Sequence, residues 1–89
     1  MLYMVLEDFQ GQAEAVYRRF RDQGRLAPEG LRYVSSWVTQ DLQRCYQIME
    51  CSDPRLLEQW IDRWKDLVKF EVIPVMTSPQ AAELMSPRL

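Results

Sequence analysis

Apolar and polar positions recur with two different periods along this chain, and the switches between them predict its elements. The chain opens on Met1-Leu2-Tyr3-Met4-Val5-Leu6, a strand over Met1–Glu7. Both of its alternating sets, Leu2/Met4/Leu6 and Tyr3/Val5, are apolar, the pattern of a strand covered on both faces. Ala13, Val16, Tyr17 and Phe20 then fall at helical spacing within Gln12–Gln23. Glu14–Arg18 and Arg18–Asp22 are i,i+4 pairs on the polar side. Gly24 stands where a helix C-cap is expected, and Pro28-Glu29-Gly30 has the residue order of a turn.

Leu31–Thr39 and Arg44–Cys51 read as a hairpin closed by Gln40-Asp41-Leu42-Gln43. Placing Trp37 opposite Tyr46 sets Ser35 against Ile48 and Tyr33 against Glu50. One face then carries Tyr33, Ser35, Trp37, Tyr46, Ile48 and Glu50; a register slip of one or two residues changes the partners. Ser52-Asp53-Pro54 signals a second helix, with Asp53 as N-cap and Pro54 at the first helical position. Leu57, Trp60, Ile61, Trp64, Leu67 and Val68 form its stripe, predicting a helix to about Leu67. The last strand, Phe70–Met76, contains Pro74, which has no N–H to give a ladder and belongs at a sheet edge.

This order predicts an α+β, ferredoxin-like βαββαβ domain with a four-stranded antiparallel sheet in the order 4-1-3-2. That order places the proline strand at an edge and the doubly apolar strand inside. Residues 1–77 make up the domain. Residues 78–89 form a tail, a short helix from Ser78-Pro79 to Leu84 and then a frayed end at Ser86–Leu89. In this topology both helices cover one face of the sheet. The apolar residues of the other face predict a homodimer packed sheet to sheet, a dimeric α/β-barrel.

Composition changes this picture little. At 89 residues, 47% hydrophobic and 27% charged, the chain is of ordinary globular composition. A net charge of −2 and a pI of about 5.0 argue against nucleic acid or an anionic membrane as partner. There is neither a signal-peptide pattern nor an 18-residue apolar run, so a cytoplasmic chain is expected. Cys45 and Cys51 on one strand stand roughly 20 Å apart, beyond disulfide reach, and read as buried thiols.

The chemistry is sparse. With no histidine, most nucleophile–base pairs and the commonest metal ligand are missing, so no metal and no cofactor is expected. Ser35-Ser36 has no nucleophile-elbow motif around it, and the three glycines make no phosphate loop. Arg18, Arg21 and Arg25 share one side of the first helix and its end, either as an anion site or as a solvated face. Tyr33, Trp37 and Tyr46 resemble base-stacking platforms, but Arg44–Glu50 lacks the aromatic-glycine pattern of RNA-binding sheets. Tyr3, Tyr33, Ser35, Trp37, Tyr46 and Gln47 are the residues expected to line a cavity between the two sheets, accepting a small apolar molecule.

Val16-Tyr17-Arg18-Arg19-Phe20-Arg21, Pro28-Glu29-Gly30-Leu31-Arg32-Tyr33-Val34-Ser35-Ser36-Trp37 and Phe70-Glu71-Val72-Ile73-Pro74-Val75-Met76-Thr77-Ser78 resemble a family of short bacterial proteins catalogued as a domain of unknown function. The resemblance covers roughly residues 1–84. It implies a dimeric α/β-barrel and supplies no activity. More distant relatives of that architecture include small monooxygenases acting on polyketides or haem, and muconolactone-type isomerases; the haem-degrading pattern requires a histidine absent here. A homodimeric binding or accessory protein is therefore the leading expectation. One alternative is a cofactor-independent monooxygenase or isomerase for a small aromatic or polyketide-like substrate, with Tyr33 or Glu50 in acid–base roles and Arg32 stabilising an anion. The other is a structural adaptor.

Overall fold

The computed structural model describes all 89 residues. Four strands, β1 (Leu2–Asp8), β2 (Arg32–Val38), β3 (Arg44–Glu50) and β4 (Lys69–Val75), form one antiparallel sheet in the order β2-β3-β1-β4. Read from the other edge, this is the predicted 4-1-3-2. Pro74 lies on the edge strand β4, opposite Tyr3, where its missing N–H interrupts no interior ladder. Helices α1 (Ala13–Gln23) and α2 (Arg55–Asp62) both lie on one face of the sheet. Val16 of α1 and Leu57 and Trp60 of α2 share a core with Tyr3, Val5 and Met49. At 48 × 30 × 17 Å the molecule is two layers thick, one of helix and one of sheet.

Local chemistry sets the ends of these elements. Gly24 (φ 72°) closes α1, its N–H reaching the Phe20 carbonyl at 2.8 Å. The Pro28–Gly30 turn is closed by the Leu31 N–H on the Pro28 carbonyl. Asp53 accepts the Arg55 N–H at 3.0 Å, satisfying a donor of the first turn of α2. That helix is shorter than its apolar stripe predicts. Regular α geometry ends at Asp62, and the chain continues to Leu67 in turns that mix three- and four-residue hydrogen bonds. The indole N–H groups of Trp60 and Trp64 both donate to the Arg25 carbonyl, at 3.0 and 2.8 Å, and Arg63 Nη1 donates to the Leu26 carbonyl. These tertiary bonds accompany the tightened winding.

A third helix, α3 (Ser78–Met85), starts with a reciprocal capping box between Thr77 and Gln80. None of its residues is buried. The end expected to fray is instead wound into a short 3-10 turn, Ser86–Arg88, stopping at an exposed Leu89. The radius of gyration, 14.8 Å, exceeds the roughly 12 Å of a compact domain this long, consistent with a helix standing off the core.

Candidate functional site

The predicted register holds at Trp37↔Tyr46 and Ser35↔Ile48, then breaks. A bulge between Tyr33 and Ser35 adds one residue to β2, so Tyr33 pairs with Met49 instead of Glu50 and Arg32 takes the place opposite Glu50. Because side chains alternate, one extra residue moves Tyr33 to the opposite face. The six residues expected to line one cavity therefore divide. Ser35, Trp37 and Tyr46 lie on the bare face, with Leu2, Met4, Leu6 and Ile48. Tyr3, Tyr33 and Gln47 lie on the helix-covered face, where Tyr3 and Gln47 are buried.

The three arginines expected together also separate. Arg21 pairs with its neighbour Asp22, and Arg18 stays exposed. Arg25 turns onto the sheet, its guanidinium over the rings of Tyr33 (3.8 Å) and Phe20 (5.4 Å). Arg19, outside that trio, makes a two-pronged ion pair with Asp66 at 2.8 and 2.6 Å and lies over Trp64. It ties α1 to the segment after α2.

On the covered face, between α1 and the sheet, is a cavity of about 220 Å³. Val16, Tyr17 and Phe20 of α1, Phe9, and Trp60 and Trp64 wall it with apolar surface. Glu7, Cys45 and Gln47 line it from the central strands, Ser36 and Val38 from β2, and Arg25 from the loop. Two other depressions differ in kind. One of about 250 Å³ at the end of the sheet is edged by Asp8, Arg44, Lys69 and Glu71. Another, of about 710 Å³, lies between α3 and the strand ends at Leu2 and Val75. Only the first combines an enclosing aromatic wall with converging buried polar groups, the usual make-up of a small-molecule site.

Those polar groups form one chain of hydrogen bonds. Arg25 Nη1 donates to Gln47 Oε1 at 3.1 Å, and Gln47 Nε2 donates to Glu7 Oε2. The Tyr33 hydroxyl and Ser36 Oγ are bonded at 2.7 Å beside it. Glu7 is only 8% exposed. Burial raises its carboxyl above the ordinary carboxylate value, outweighing the hydrogen bonds from Gln47 and Cys45 and the charge of Arg25, which act the other way. Burial, reinforced by the neighbouring Glu7, pushes the Cys45 thiol up to about 12. That keeps it protonated and a poor nucleophile. Both cysteines are free and buried.

Gln47 was among the residues expected to line a cavity, whereas its partner Glu7 was not, though the signal is present in the alternation. Each is a polar residue at a core-facing step, Tyr3-Val5-Glu7 and Cys45-Gln47-Met49. Of the groups suggested for acid–base work and anion stabilisation, Tyr33 stays beside this chain under Arg25, whereas Glu50 and Arg32 are placed elsewhere. Arg32 and Glu50 pair with each other in an exposed bridge, Nε to Oε1 at 2.9 Å.

No helix is long and apolar enough to cross a membrane. No curated protein and no solved structure matches the chain. Residues 1–89 match the family model described as Domain of unknown function (DUF3303), and the chain belongs to that family.

Proposed function

We propose that this member of a family without an assigned activity is a homodimeric small-ligand-binding protein. Its ligand sits in the helix-covered cavity, and its bare sheet face meets a second copy. The observation that carries the ligand reading is the hydrogen-bonded bridge Arg25–Gln47–Glu7 inside an aromatic-walled cavity. Burying the Glu7 carboxylate costs stability unless it is hydrogen-bonded. A core needing only packing is served as well by apolar residues at these steps.

The dimer reading rests on the other face. Leu2, Met4, Leu6 and Ile48 are half-buried within one chain, and Trp37 is 61% exposed. Four strands of seven residues present on the order of 450 Å² in projection. A stable interface covers roughly 800 Å² per partner, so the sheet alone supplies about half. The apolar side chains Leu84 and Met85 of α3, exposed beside the groove along Leu2 and Val75, provide further area. A second copy meets the need because its own bare face is the matching apolar surface.

Native mass spectrometry of protein purified from its own host tests both parts. The expected result is a species of twice the 10.6 kDa chain mass, with additional mass from a retained small molecule. A bare 10.6 kDa monomer at micromolar concentration, together with no change in tryptophan fluorescence on adding apolar probes, rejects both. The catalytic alternative, a cofactor-independent oxygenase or isomerase, draws support from Glu7 instead of Tyr33 or Glu50. A carboxyl raised by burial and linked through Gln47 to a cation suits proton transfer.

A further inference from the structure

The bridge also constrains the polar edge of the ligand, given the reading that the cavity is a ligand site. The Gln47 amide accepts from Arg25 on one side and donates to Glu7 on the other. A guanidinium has five N–H groups, and that of Arg25 spends one of them, from Nη1, on Gln47. Its flat faces are held against Phe20 and Tyr33, and its backbone carbonyl is fixed by the indoles of Trp60 and Trp64.

Glu7 is more than nine-tenths buried. Its Oε2 is engaged by Gln47, and the other donor to the carboxylate is the Cys45 thiol, a weak one. No fully enclosed side-chain polar atom in the molecule lacks a partner. The Glu7 carboxylate is also a lining group of the cavity. Arg25, with donors to spare, and the Glu7 carboxylate both line the cavity, one on either side of the Gln47 amide.

We propose that the cavity binds a planar molecule of one or two fused rings carrying a lactam-type edge, a carbonyl next to an N–H. The carbonyl accepts from Arg25, the N–H donates to Glu7, and the rings lie among Val16, Phe20, Trp60 and Trp64. The edge repeats the acceptor–donor order of the Gln47 amide it sits beside. Size agrees: a cavity of about 150 Å³ holds a benzene ring, and about 220 Å³ admits a second, fused ring. The Glu7 carboxylate excludes a ligand whose buried end is itself an anion.

Three probes of nearly equal size test this with the full-length protein at pH 7: 2-quinolone, N-methyl-2-quinolone and naphthalene. Binding is followed by calorimetry and by the fluorescence of Trp60 and Trp64. The expected order places 2-quinolone at least tenfold tighter than either of the others, because each loses a buried hydrogen bond. Arg25→Met keeps the side chain's length without its donors. It should weaken 2-quinolone at least tenfold and leave naphthalene within twofold, a result that also reports an intact cavity. Equal affinity for all three probes overturns the lactam edge and leaves the ligand site standing. Absence of binding by any of them up to its solubility limit overturns both.

Discussion

The two faces of the sheet are built from alternating residues of the same strands, yet they solve different problems. On the covered face, Tyr3, Val5 and Glu7 of β1 are buried under α1 and α2. On the bare face, Leu2, Met4 and Leu6, one step along in each case, are only half-buried. The covered face holds polar groups that are bonded inside an apolar setting. The bare face has an apolar centre of Met4, Leu6, Tyr46, Ile48 and Ile73, bordered by charged residues such as Arg32, Arg44, Glu50, Lys69 and Glu71. An uncovered apolar centre with a charged border suits a partner surface, whereas a covered face with bonded polar groups beside a cavity suits a ligand. The two proposals, dimer and ligand, come from that difference.

The sharpest break between the faces is in stability. Trp60→Ala removes a side chain 2% exposed together with its bond to the Arg25 carbonyl. It is expected to cost about 3–5 kcal/mol in urea unfolding, a large part of the total for a domain of this size. Met4→Asp, placed on the bare face, is expected to leave the monomer folded by circular dichroism. It should weaken self-association at least a hundredfold in sedimentation equilibrium, because it sets two like charges into a facing apolar surface.

Glu7→Gln sharpens the electrostatic side. Glu7 has a folded pKa above its unfolded one, so its contribution favours folding below the unfolded pKa and is lost as pH rises through the folded pKa. The amide keeps an oxygen for Gln47 and has no charge to bury. The variant is expected to gain about 1 kcal/mol over wild type near pH 8, with the gain vanishing by about pH 4, as read from denaturation at the two pH values. The smallest effect is that of Trp37→Ala measured on the dilute monomer. The ring is 61% exposed, and the change is expected to stay within about 0.5 kcal/mol. A larger loss means that Trp37 packs within its own chain, which removes it from the dimer surface.

The strand order was legible because Pro74 and the doubly apolar first strand each carry their position in their own chemistry. The second helix start was legible in Asp53-Pro54, whose carboxylate does hold the first turn. The bulge in β2 was not. Tyr33-Val34-Ser35-Ser36 contains no glycine or proline to mark it, and the side that a hairpin residue faces depends on counting every step. Losing one step sent Tyr33 to the other sheet face and split the six candidate residues. The end of α2 was hidden for a different reason. Trp60 and Trp64 keep perfect helical spacing, and the single carbonyl they share lies 35 and 39 residues back in the chain. Arg25 was noted as a charge on a helix flank, but its place in the cavity depends on the loop after Gly24, whose path periodicity does not reveal.

The carbonyl shared by two indoles also has a kinetic side. The loop at the edge of the cavity is held by Trp60, Trp64 and Arg63 together, so swinging it open means breaking three hydrogen bonds in one event. The rings of Tyr17 and Phe20 on α1, each 43% exposed, are held by no hydrogen bond and rest against Phe9 and Arg25. On the ligand reading proposed above, the way into the cavity is therefore past the helix, while the loop forms its fixed wall.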